Sequence, residues 1–127
     1  MKRTRIGGAL LAVALPFAVT GVAGASPNTS LLLTVSSPDG SGEIVELECD
    51  PPGGTHPNAK SACVELHMSQ GDFDALADHQ EPASCTMEYR PVTAEAYGTW
   101  HGEPVFWSHE FGNDCTLRTA TGTVFRF

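Results

Sequence analysis

An α+β domain built on an antiparallel sheet is the expectation for this chain of 127 residues, and three features carry it. Two runs near residues 30–49, one apolar and one alternating apolar and polar side chains, flank a Pro/Gly turn. The middle of the chain changes to helical spacing, and the C-terminal third returns to extended, alternating runs. Strands, then helices, then strands favour an antiparallel sheet over the strand–helix repetition of a parallel one.

The first 25 residues stand apart from that domain. Lys2, Arg3 and Arg5 form a basic head, Ala9 to Val19 is an apolar run, and Ala23-Gly24-Ala25 supplies small residues for cleavage. This is the pattern of a secretory signal peptide. A membrane anchor is the competing reading, but the run is short for ~30 Å of hydrocarbon and contains Pro16. With a mature chain beginning near Ser26, residues 26–127 form one domain of a secreted protein with a modest core. Removal of the three leader cations takes the formal charge from −8 to −11. Such a surface repels phosphate backbones, so nucleic acid is excluded as a partner class, and the mature form needs no membrane.

Within the domain, SLLLTVS (Ser30 to Ser36) reads as a buried strand and PDGSG (Pro38 to Gly42) as its turn. EIVELEC follows as a half-buried strand, with Val45, Leu47 and Cys49 on one face and Glu46 and Glu48 on the other. DPPGGTHP (Asp50 to Pro57) reads as loop, because its prolines and glycines leave no regular ladder. Ala59, Ala62, Cys63 and Leu66 make one stripe of a helix running to about Met68. Gly71 ends it, and Asp72 can cap a second short helix that turns Phe73, Leu76 and Ala77 inward. Ala94 to Trp100 and Pro104 to Phe111 are extended runs joined at His101-Gly102-Glu103, and TVFRF (Thr123 to Phe127) alternates as a closing strand.

Cys49, Cys63, Cys85 and Cys115 all fall in the mature part, an even count that reads as two disulfides in an exported chain. Four cysteines allow three pairings, and the sequence does not choose among them; the local choice is Cys49–Cys63 with Cys85–Cys115. Zinc is the alternative, yet no cysteines lie two to four residues apart, and His56, His67, His79, His101 and His109 show no close ligand spacing. No metal or other cofactor is expected. Trp100, Phe106, Trp107 and Phe111 at strand spacing read as core before they read as a stacking platform. No nucleophile elbow, zinc-protease helix or phosphate-cradling loop is present, and oxidised cysteines leave no thiolate. An enzyme is therefore not expected.

The segment SCTMEYRPV (Ser84 to Val92) raises a sharper question. Met87 is either the inward tooth of a strand or an apolar group offered outward. An inhibitor that mimics a protease substrate needs an extended segment held rigid, so that little conformational entropy is lost on binding, with one side chain for the primary pocket. Cys85 can anchor this segment through a disulfide, Pro91 fixes the backbone beyond it, and the unbranched Met87 adapts to apolar pockets of several shapes. Composition leaves the inward and outward readings of Met87 evenly balanced.

Several segments resemble the Streptomyces subtilisin inhibitor family across essentially the whole mature chain. CDPPGGTHPNAKSACVEL (Cys49 to Leu66) is similar to that family's first disulfide and helix, and GDFDAL to its short second helix. CTMEYRPV is similar to its reactive-site segment, FGNDC (Phe111 to Cys115) to its second bridge partner, and GTVFRF to its closing strand. The resemblance implies a five-stranded antiparallel sheet with two short helices on one side and the pairings Cys49–Cys63 and Cys85–Cys115. It implies a homodimer that inhibits subtilisin-like serine proteases. Met87 becomes the primary specificity residue and Met87–Glu88 the scissile bond. Cys85, Thr86, Tyr89 and Arg90 become protease-contacting residues, and Asn113 a support beneath the loop. Thr86 stands where that family often has proline, and Glu88 where many members carry an apolar residue. A secreted binding module using Trp100 and Trp107, or a small hydrolase, are the alternatives; neither accounts for Met87 beside a bridging cysteine.

Overall fold

β1 (Thr29–Ser36) and β2 (Gly42–Cys49) form an antiparallel hairpin in a computed structural model that describes residues 7–9, 11–17 and 28–127. The leader expected over residues 1–25 falls largely outside the described residues. Among the described residues no helix is long and apolar enough to cross a membrane. β4 (Val92–Trp100) pairs with β1, and β5 (Glu103–Phe111) pairs with β4, both antiparallel. The β4–β5 turn is His101-Gly102, whose φ angles of 48° and 81° fit the twist of a two-residue hairpin.

The fifth strand is not the one the alternation predicts. β3 is the two-residue Gly53–Gly54, which pairs with β2 at the sheet edge and gives the order β3-β2-β1-β4-β5. Gly54 has φ 89°, and a Cβ there would lie 2.3 Å from the Glu46 carbonyl oxygen, so a loop without side chains can close against the edge. Thr123–Phe127 forms no strand. Val124 and Phe125 are both buried, which alternation cannot achieve, and side chains hold the backbone of this segment. Glu65 accepts from the Thr123 N–H (2.7 Å) and hydroxyl (2.8 Å). His56 Nδ1 accepts from the Asn58 N–H at 2.9 Å, so its Nε2–H donates to the Val124 carbonyl at 2.9 Å.

Three helical segments, rather than the expected two, cover one face of the sheet. α1 (Ala59–Met68) buries Ala62, Cys63 and Leu66, as its stripe predicts. A 3-10 helix (Phe73–His79), capped by Asp72, buries Phe73 and Leu76 but leaves Ala77 exposed. The third segment, α2 (Asp114–Thr121), escaped the apolar pattern because only Leu117 and Thr121 are buried on it. Its signals are in its caps: Asn113 and Thr116 form a reciprocal capping box, and Gly122 ends it at φ 59°. Leu31, Leu33, Leu47, Ala94 and Ala96 on the inner sheet face meet Leu66, Leu76, Leu117 and Phe125 in one core. Each fully buried leucine contributes roughly 1.5–3 kcal/mol relative to exposure.

β1 is half-buried rather than buried throughout, because its other side chains point to an uncovered outer face. Leu32, Tyr97 and Phe106 lie in one cross-strand row there, and Ile44 is also exposed. Phe106 is thus no core residue: Tyr97 pairs with Phe106 on the outer side, while Trp107 faces inward and stacks on Phe73. Trp100 is buried, and Trp107 and Phe111 are half-buried against the core.

Candidate functional site

From Glu81 to Pro91 the chain forms neither helix nor strand, so its shape has to be imposed from outside. Cys85 is bonded to Cys115 in the first turn of α2, with Cα atoms 5.8 Å apart and 30 residues of separation. A crosslink closing a loop of this length stabilises by about 3–4 kcal/mol in the chain-entropy picture. The other bridge, Cys49–Cys63, ties β2 to α1, and no free cysteine is present among the described residues.

Asn113 connects the loop to the body. Its Oδ1 accepts from the Thr116 N–H (2.8 Å), and the Thr116 hydroxyl completes the box with the Asn113 N–H (3.2 Å). The amide orientation is thereby settled: Oδ1 faces the helix and Nδ2 faces the loop. Nδ2 donates to the Thr86 carbonyl at 3.0 Å and to the Glu88 carbonyl at 2.8 Å. These carbonyls flank Met87 on both sides. Beyond it, the Arg90 N–H donates to the Gly112 carbonyl at 2.8 Å, and Val92 enters β4.

With its backbone held from below, the segment turns its side chains outward. Met87 is 98% exposed and Tyr89 is 75% exposed. The outward reading of Met87 is the one the geometry fits. Glu88 and Arg90 pair within the loop at 2.9 Å (Oε1 to Nε), so the charge that follows Met87 already has a partner. Both groups are mostly exposed, and such a pair orients side chains more than it stabilises.

A groove of about 580 Å³ runs beneath the segment, lined by Thr86, Glu88 and Arg90 on one side and Pro38, Asp39 and Asn113 on the other. The Ser41 hydroxyl (2.6 Å), and then its N–H (2.9 Å), donate to Asp39 and hold its carboxyl below the usual range. Cys85, Thr86, Met87, Glu88, Tyr89, Arg90, Asn113 and Cys115 thus converge at one end of the sheet. The exposed indole pair of the binding-module alternative is absent: Trp100 is buried, and Trp107 donates through Nε1 to Asp74 at 2.9 Å. Thr116 and Gly112 are partners of this site that the sequence did not single out. The Asn-x-x-Thr spacing before a terminating glycine was the legible signal for Thr116.

Fold and site define a small, disulfide-pinned scaffold with one braced, exposed peptide segment. The model of the subtilisin inhibitor-like family matches residues 27–113, and the chain belongs to that family. It is similar to protease inhibitor SIL-V2 of Streptomyces orinoci, at 42% identity over 78% of this chain and 95% of that one. It is also similar to a subtilase-type protease inhibitor of Streptomyces fradiae, at 39% identity over 78% and 74%. Among solved structures it resembles sermetstatin of Streptomyces caespitosus, determined in complex with Bacillus licheniformis subtilisin. The TM-score is 0.67 at 29% identity, covering 77% of this chain and 97% of that chain.

Proposed function

We propose that this protein inhibits subtilisin-like serine proteases by entering their cleft as a substrate does, with Met87 in the primary pocket and Met87–Glu88 as the scissile bond. The observation that carries this reading is a fully exposed apolar side chain between two carbonyls held by a single buried amide. An apolar group in full contact with water gains about 1.5–3 kcal/mol on entering a pocket, and a segment already braced loses little entropy on docking.

The same bracing explains why such a peptide inhibits rather than turns over. Acyl transfer from Met87–Glu88 to the protease nucleophile would leave Thr86 on the acyl side and free the Glu88 amine on the other. Both carbonyls would still bond one Asn113 amide, Cys85 would remain crosslinked, and Arg90 would remain tied to Gly112. The new amine therefore stays beside the acyl-enzyme, and religation competes with water. Met87 suits a large apolar pocket and not one built around a carboxylate, while Tyr89 and Arg90 are exposed to contact the protease beyond the cut. Titration with the protein is expected to bring subtilisin activity close to zero at one site per chain, with the first slow nick at Met87–Glu88. Full activity in a tenfold excess, or a first nick elsewhere, would falsify the assignment.

Two further properties belong to this reading. The outer row of Leu32, Tyr97 and Phe106 is a contiguous apolar strip of the kind that partner surfaces cover, and we assign it to a homodimer interface. Sedimentation is expected to give the mass of two chains, and Phe106→Glu the mass of one; a native protein that sediments as one chain refutes the interface. Both bridges are formed, as an oxidising compartment allows, which supports export of residues 26–127 after removal of the leader. A mature N-terminus far from Ser26 would contradict that processing.

A further inference from the structure

The end of the sheet away from the loop gathers a second set of side chains, far apart in sequence. Asp50 follows Cys49 directly after β2, His101 follows Trp100 directly after β4, and His67 lies in the last turn of α1. Asp50 Oδ2 is 3.3 Å from His67 Nε2 and 3.5 Å from His101 Nε2. One donor atom from each residue lies within 4.8 Å of the others. We propose that Asp50, His67 and His101 form a binding site for a divalent transition-metal ion of the zinc class, with the remaining coordination open to solvent.

The spacing matches that chemistry. Zinc bonds imidazole nitrogen and carboxylate oxygen at about 2.0–2.2 Å, so two ligands at a tetrahedral angle lie about 3.4 Å apart. Both measured separations fall on that edge length. Two imidazoles with one carboxylate select zinc, copper or nickel over calcium or magnesium, which prefer all-oxygen shells. The acidic surface of the chain adds a general attraction for cations.

The fold also fixes the ligands before any ion arrives. The Cys49–Cys63 bridge joins the residue before Asp50 to the residue one helical turn before His67, so one crosslink sets both positions. The His101 imidazole stacks on the Trp100 indole at 4.4 Å and 10°, and His67 packs on the same indole at 4.9 Å. Trp100 in turn rests on the bare backbone of Gly71, where a Cβ would come within 2.3 Å of its ring. Asp50 and His101 have φ angles of 62° and 48°, a region that Asp and His enter more readily than most residues. All three side chains are 40–55% exposed, leaving an entry path and room for water or a donor from another molecule. The three donors are therefore gathered within 4.8 Å before an ion binds.

Nine residues of β4 separate this site from the loop, about 25–30 Å along an extended strand. Metal binding is independent of protease inhibition, so either can fail without the other. The test is calorimetric titration of the native protein with zinc chloride. One ion per chain is expected, and His101→Ala, His67→Ala and Asp50→Asn should each weaken binding about tenfold or more. His79→Ala, which removes an exposed histidine elsewhere, should leave the isotherm unchanged. His67→Ala sits at an exposed helix end and keeps the test open should a change at Asp50 or His101 disturb folding. As a second readout, cupric ion should quench Trp100 fluorescence in the native protein and not in His67→Ala. No saturable binding, or binding that all three substitutions leave intact, overturns the site.

Discussion

Exchanging Asn113 for aspartate is expected to turn the inhibitor into a substrate while keeping the cap of α2. Asn113 performs two tasks with two different atoms. Oδ1 caps α2 through the Thr116 N–H, and Nδ2 holds the Thr86 and Glu88 carbonyls. Aspartate keeps an acceptor for the cap and adds a negative charge at a helix N-terminus, where it is favourable by about 0.3–1 kcal/mol. It offers no donor to the loop, and its second oxygen repels the two carbonyls. Losing two hydrogen bonds of roughly 0.5–1.5 kcal/mol each loosens the segment by about 1–3 kcal/mol. That corresponds to cleavage at Met87–Glu88 faster by about 5- to 150-fold under the same protease load.

Asn113→Ala provides the contrast, because it loses the cap as well. A further ~0.5–2 kcal/mol should be lost, lowering the midpoint of thermal unfolding by about 4–8 °C per kcal/mol in a domain of this size. The check is a time course of cleavage by mass spectrometry beside a thermal melt for both variants. Equal persistence of the native protein and the aspartate variant would mean that the Asn113 amide does not govern resistance to proteolysis.

Shortening Met87 should produce the second large effect, this time on affinity alone. At 98% exposure the side chain contributes nothing to the core, so Met87→Ala leaves the melting curve where it was. The apolar burial it forgoes in the protease pocket is about 1.5–3 kcal/mol, which weakens inhibition roughly 10- to 150-fold. Met87→Lys should instead move preference towards proteases whose pocket holds a carboxylate, since the lysine ammonium finds its counter-charge there. Inhibition constants measured side by side against subtilisin, a chymotrypsin-like enzyme and a trypsin-like enzyme decide the matter. If neither substitution changes them, Met87 does not occupy the pocket.

Strand and helix periodicity located β1, β2, α1, the 3-10 helix, β4 and β5 because each buries one face, and burial of one face writes a period into the sequence. It failed where backbone order comes from other sources. β3 exists because glycines allow a close edge contact, and two residues are too few to show a period. α2 buries little and is organised by its caps. The last five residues alternate in sequence, yet Glu65 and His56 capture their backbone groups before a strand can pair with them. The outer row of Leu32, Tyr97 and Phe106 was equally hidden, since alternation does not tell which face a helix layer will cover.

The segment from Ser84 to Val92 divides along the same line. Sequence by itself determined its composition: a cysteine two residues before a flexible apolar side chain, a proline beyond it, and an asparagine two residues before the bridging partner. Those are local choices, and the chain displays them. Whether Met87 points into the core or into water was decided only in the folded molecule, when Cys115 and Asn113 at the head of α2 met a segment some 25 residues earlier. The same holds for Asp50, His67 and His101, which no spacing connects and which a disulfide and one buried indole bring together. Direction and proximity are properties of long-range contacts, and a linear pattern records only the part of them that repeats.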